Sequence, residues 1–203
     1  MVLFLSYCCI NMKYILTVIL LFSATIMYSQ LQVNVKWAGR MANNSRDTIY
    51  YQPGTEVAWN DFKGRPDLES GAAAMTYSGF GFNAAIQSRS GRGTLTINLY
   101  CYFDRSKSWV KASSKNDYAL LHEQHHIDVS YIASNIFMQK LQQAKFTLSN
   151  YNRLLTEIYN ESTAALEKMQ DDYDGQTSNG RVPEVQAAWN KKIDTRLAQL
   201  ATD

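Results

Sequence analysis

No glycine or proline interrupts the chain between Asn116 and Ala144, and apolar residues recur there at helical spacing, at Leu120, Ile127, Ile132, Ile136 and Leu141. That combination predicts one long helix. Upstream the period is different. Leu31 to Trp37 alternates apolar with polar residues and is expected to be a strand. Thr48 to Gln52 is a weaker candidate, and Met75 to Ile86 and Thr94 to Phe103 are longer ones. The last two flank Ser88-Arg89-Ser90-Gly91-Arg92-Gly93, a turn-rich spacer suited to a hairpin. Trp59 to Pro66 reads as a loop carrying two aromatics. Downstream, Ser149 is placed to cap a second helix striped from Tyr151 to Met169. A polar loop is expected from Asp171 to Arg181. Pro183 then suits the first position of a third helix along Val185, Trp189, Ile193, Leu197 and Leu200. Strands first and helices afterwards describe an α+β domain, N-terminal antiparallel strands followed by three helices.

The predicted long helix contains Leu120-Leu121-His122-Glu123-Gln124-His125-His126, an H-E-x-x-H motif. Its meaning is geometric. His122 and His126 are four residues apart, so both imidazoles leave one helix face and can converge on one ion. Neutral imidazole suits zinc, and Glu123, one residue round from His122, is placed to act on water at the metal rather than to ligate it. His125 points about 100° away from His126 and is expected outside the ligand set. A catalytic zinc needs a third protein ligand, and no histidine is left to supply one. Asp128, two residues past His126, projects from nearly the opposite side of the helix. Two downstream carboxylates remain open: Glu161, at the edge of the apolar stripe of the second helix, and Asp174, in the expected loop after it. Glu157 reads as solvated.

The remaining features bound the setting. Lys and Arg number 20 against 18 Asp and Glu, a net charge of +2, which gives no phosphate-tracking surface and argues against a nucleic-acid partner. Tyr14 to Met27 is nearly all apolar and follows Lys13, the only charge before Lys36. It is shorter than the ~20 residues of a spanning helix. Residues 1–29 therefore read as a secretory signal, with Met12 an alternative start and an uncleaved membrane anchor the alternative reading, and residues 30–203 as one exported domain, secreted or periplasmic, with no stable membrane span once the signal is removed. Cys101 is then the one thiol left, on the apolar side of an alternating run, and reads as a buried small hydrophobe rather than a nucleophile.

Several separated segments together resemble a known family. They are Trp59-Asn60-Asp61-Phe62-Lys63-Gly64, Lys107-Ser108-Trp109-Val110, His122-Glu123-Gln124 with His126 and Asp128, Tyr173-Asp174 with Thr177, and Gln186 with Trp189. In this order they are similar to a bacterial domain-of-unknown-function family described as predicted secreted zinc-dependent proteases. The resemblance implies a zincin-like peptidase domain, a Zn2+ cofactor, His122 and His126 as ligands, and Glu123 as the catalytic residue. It favours Asp174 as the third ligand, with Glu161 the alternative. Two positions depart from the pattern: Gln176 and Asn179 stand where the family often has an acid and a histidine.

These readings converge on an exported zinc-dependent metallopeptidase that hydrolyses peptide bonds in a protein or peptide, cell-wall peptides included, through Glu-activated water on zinc. The alternative is a non-catalytic binding module whose metal site is structural or degenerate.

Overall fold

The computed structural model describes residues 30–38 and 46–201. The signal expected over residues 1–29 lies outside them. Among the described residues no helix is long and apolar enough to cross a membrane.

Among the described residues six strands precede three α-helices: β1 (Gln30–Trp37), β2 (Thr48–Tyr50), β3 (Ala74–Met75), β4 (Ser78–Arg89), β5 (Arg92–Asp104), β6 (Trp109–Val110), α1 (Asp117–Gln143), α2 (Tyr151–Thr177) and α3 (Pro183–Leu200). The architecture is mixed α+β, as the change of period implies. β5 is the spine of a four-stranded sheet. β4 pairs antiparallel along its whole length, from Ser78 opposite Phe103 to Arg89 opposite Arg92. The connecting turn is Ser90-Gly91, both residues at positive φ (51° and 78°), the conformation that matches strand twist in a two-residue hairpin.

Two strand expectations need correction. β1 runs parallel to β5, not antiparallel, and lies end to end with the antiparallel β2 along the same edge of the spine. Alternation with period two assigns faces but says nothing about the direction of a neighbour. The run from Met75 to Ile86 is also not one strand. Met75 belongs to β3, which pairs with β6 in a separate two-stranded ladder, and the main strand starts only at Ser78.

The core sits between the sheet and α1. Leu95, Ile97, Leu99, Cys101 and Phe103 all point to the inner face of β5 and are buried. Burial also pushes the Cys101 thiol far up, out of nucleophilic range. Phe137 of α1 is fully buried among the rings of Phe80, Phe82 and Tyr159, at centroid distances of 5.3, 5.8 and 5.7 Å. A buried ring of this kind holds roughly 3–5 kcal/mol against truncation to alanine.

α1 is the middle layer, packed against β4 and β5 on one side and α2 and α3 on the other. Its centre is buried on every side, polar residues included. It starts where Asn116 caps it, the side chain accepting the Ala119 N–H at 2.9 Å. The N-cap position of α2 is Asn150 rather than Ser149, and its side chain makes no capping hydrogen bond. α2 also continues past the expected loop at Asp171, because Leu166, Tyr173 and Thr177 extend the buried stripe and Lys168 pairs with Asp172 one turn on. The helix stops at Ser178, a left-handed residue at φ 52°.

Candidate metal centre

His122 and His126 leave α1 toward the last turns of α2, where Asp174 meets them. The Asp174 Oδ1 lies 3.1 Å from His122 Nε2 and 3.0 Å from His126 Nε2, and the two Nε2 atoms are 3.3 Å apart. The site is thus a small triangle of one oxygen and two nitrogens. Asp174 reaches it from the helix, not from a loop: the seven residues that extend α2 carry the carboxylate into place. Glu161 does not come near. It stands on the surface, its side chain 67% exposed, paired with Lys140 at 3.2 Å. Glu157 pairs with Arg153 in solvent.

The hydrogen bonds around the triangle decide what it can hold. Nδ1 of His122 donates to Oε1 of Gln186 (2.8 Å), and Nδ1 of His126 donates to Oε1 of Gln170 (2.5 Å). Both imidazoles therefore turn an Nε2 lone pair inward, toward a carboxylate oxygen. Three lone-pair atoms at such distances need a positive species among them. In the metal-free chain that species is a proton: burial pulls His126 down, but the hydrogen bond to Asp174 and its charge, with Glu123 and Gln170 adding, hold it above the ordinary imidazole value. Burial would likewise raise Asp174, yet the hydrogen bonds from His122 and His126 keep its carboxyl far below the usual range.

A divalent ion fits the same place. Donors held ~2.0–2.1 Å from a tetrahedral ion stand about 3.3–3.4 Å from one another, close to the edges seen here. Among the described residues, these three form the group of histidine and acidic side chains near enough to share an ion. No protein-family model, no curated protein and no solved structure matches this chain. The reading of the centre therefore stands on its chemistry.

Glu123 is buried beside the triangle, and the Thr76 hydroxyl donates to its Oε2 at 2.7 Å. It opens onto a cleft of about 310 Å³ shared with His122, His126 and Asp174. One wall is the segment Ala72–Thr76, which includes β3; the other is the turn Asn179–Arg181. Arg181 Nη2 bridges the two walls to the Gly71 carbonyl (3.3 Å), and the Tyr118 hydroxyl, on α1 one turn before His122, donates to the Gly180 carbonyl (2.7 Å).

Other residues fall where the motif implies, or outside the centre. His125 is buried behind it, donating to Asp128 Oδ2 at 2.9 Å. Asp128 in turn accepts the Tyr51 hydroxyl (2.9 Å) and Gln124 Nε2 (3.1 Å), so it braces α1 from the opposite face. Gln176 points away, its Oε1 accepting Trp189 Nε1 at 3.1 Å, whereas Asn179 does line the cleft.

Sequence reasoning missed Gln170, Thr76 and Gly180. Gln170 lies four residues before Asp174, a spacing that would have exposed it had α2 been extended. Gly180 is needed for close approach, since a Cβ there would sit 3.3 Å from His122 Nδ1. Thr76 reaches Glu123 across 47 residues and leaves no local signal.

Proposed function

We propose that this chain is an exported, zinc-dependent metallopeptidase with a zincin-like arrangement, as its family resemblance implies. What carries the reading is one juxtaposition: three inward lone-pair donors, His122, His126 and Asp174, with Glu123 buried beside them on an open cleft. A divalent ion held by those donors would supply a Lewis acid that polarises a carbonyl and acidifies water.

The chain's own residues account for the rest. Glu123 accepts the proton of the attacking water and passes it to the leaving amine nitrogen. Thr76 fixes the carboxylate for that task by holding Oε2. β3 pairs with β6 along one edge only, and its residues line the cleft, so an extended peptide can add alongside it by backbone hydrogen bonds. Two exposed large apolar side chains, Met75 and Tyr118, line this cleft. They favour peptides with apolar side chains, whether from folded proteins or from cell-wall material.

The test is metal content and hydrolysis of an unfolded protein substrate, measured on the purified chain and on Glu123→Gln. The expected outcome is about one zinc per chain in both, with hydrolysis reduced at least 10²-fold in the variant. Undiminished hydrolysis by Glu123→Gln would remove the catalytic role. A zinc surrounded by four protein donors would establish the binding module instead.

A further inference from the structure

Two side chains that do not line the cleft decide how the imidazoles present themselves. Gln186, buried on α3, gives its amide nitrogen to the Tyr173 hydroxyl (2.6 Å) and to Asn190 Oδ1 (2.6 Å), which leaves its carbonyl oxygen for His122. Gln170, on α2, gives its nitrogen to the His126 carbonyl (2.9 Å) and to Ser130 Oγ (3.3 Å), which leaves its carbonyl oxygen for the His126 ring. Gln170 cannot flip without setting one carbonyl oxygen against another. Gln186 could flip only if Asn190 flipped with it and the Tyr173 hydroxyl turned from the His122 carbonyl, to which it donates at 3.3 Å.

We propose that Gln170 and Gln186 are the positioning residues of this centre: they lock both imidazoles in the Nδ1–H tautomer and aim both Nε2 atoms at Asp174. The inference rests on the metal reading above. Carboxylates often orient zinc-bound histidines, and they draw the ring proton toward themselves, making the ring a stronger donor. An amide oxygen cannot take that proton. Amide acceptors would therefore draw less electron density into the rings than carboxylates, and a bound ion would keep more of its positive charge.

Gln186 is the position to test, because Tyr173 and Asn190 can each turn a donor toward a carboxylate placed there. The purified chain, Gln186→Leu and Gln186→Glu are titrated with zinc against a chelating competitor. Nitrogen-correlated spectra of the histidine rings are recorded with and without zinc in mildly alkaline buffer. Gln186→Leu is expected to bind zinc about 10–100-fold more weakly. Gln186→Glu is expected to match or exceed the parent, since it restores an acceptor. The parent His122 ring is expected in the Nδ1–H form in both states. Equal losses in the two variants, or parent affinity in Gln186→Leu, would reduce Gln186 to a packing role and overturn the inference. A parent that binds no zinc defeats the metal reading on its own, and the metal-free ring spectra then still decide: an Nε2–H ring at His122 refutes the tautomer assignment.

Discussion

Replacing Asp174 with asparagine keeps the shape of the side chain and removes the one anionic donor of the triangle. The Asp174 Oδ1 is within 3.1 Å of both ring nitrogens, so an amide oxygen could still approach, but as a neutral and weaker donor. Zinc held by four protein donors is bound with roughly 10–16 kcal/mol, or about 2.5–4 kcal/mol for each. Losing most of one share corresponds to about 10²–10³-fold weaker binding. Chelator competition on the purified protein reads this directly. Glu161→Gln is the paired measurement, because Glu161 makes only an exposed ion pair with Lys140, worth roughly 0–1 kcal/mol, and its loss is expected to leave zinc affinity unchanged. The reverse pattern, with Glu161→Gln weakening zinc and Asp174→Asn leaving it intact, would show that the donor triangle is wrongly drawn.

Further outcomes follow from the geometry. In the metal-free chain His126 is raised, so its stabilising contribution is full below about pH 6.5 and fades as pH rises through the folded value. Asp174 is lowered, so its contribution is present above about pH 3.9 and is lost as pH falls through the folded value. Melting curves of the metal-free parent and Asp174→Asn are thus expected to diverge most between about pH 4 and 6.5, and a difference that stays constant into the alkaline range would exclude the pairing. Zinc must displace the same proton, so its affinity rises with pH. Gly180→Ala places a Cβ 3.3 Å from His122 Nδ1 at φ +77°, and is expected to cost about 1–2 kcal/mol and to weaken zinc about tenfold. Gly175→Ala, on α2 with nothing within 4 Å of the added carbon, is expected to stabilise the chain by about 0.5–1 kcal/mol. Thermal melts compare the two, and equal effects would deny Gly180 its close contact.

Local rules read some parts of this molecule well. The uninterrupted run around the H-E-x-x-H motif marks α1 to within a residue of each end, and Ser90-Gly91 marks the hairpin, because caps, turns and helical period are written in neighbouring residues. His122, Glu123 and His126 share a face for the same reason. Asp174 was legible as a candidate but not as a helical residue. Its segment, Asp171 to Gln176, is polar, and burial of Tyr173 and Thr177 against the rest of the fold helps keep it wound. The parallel direction of β1, the split between β3 and β4, and the tie from Thr76 to Glu123 all depend on contacts between distant segments. Periodicity carries no record of those.

The small ladder of β3 and β6 stands apart from the sheet that encloses the core, with only two paired positions. Its placement over α1 rests on the buried Ala74 and Val110 and on the tether from Thr76 to Glu123. Short, weakly paired segments occupy the low end of local stability. Drift in residues 68–77 would therefore recut the slot that admits a substrate while the buried strands of the core keep their packing, so that selectivity and folding are inherited through different stretches of the same polypeptide.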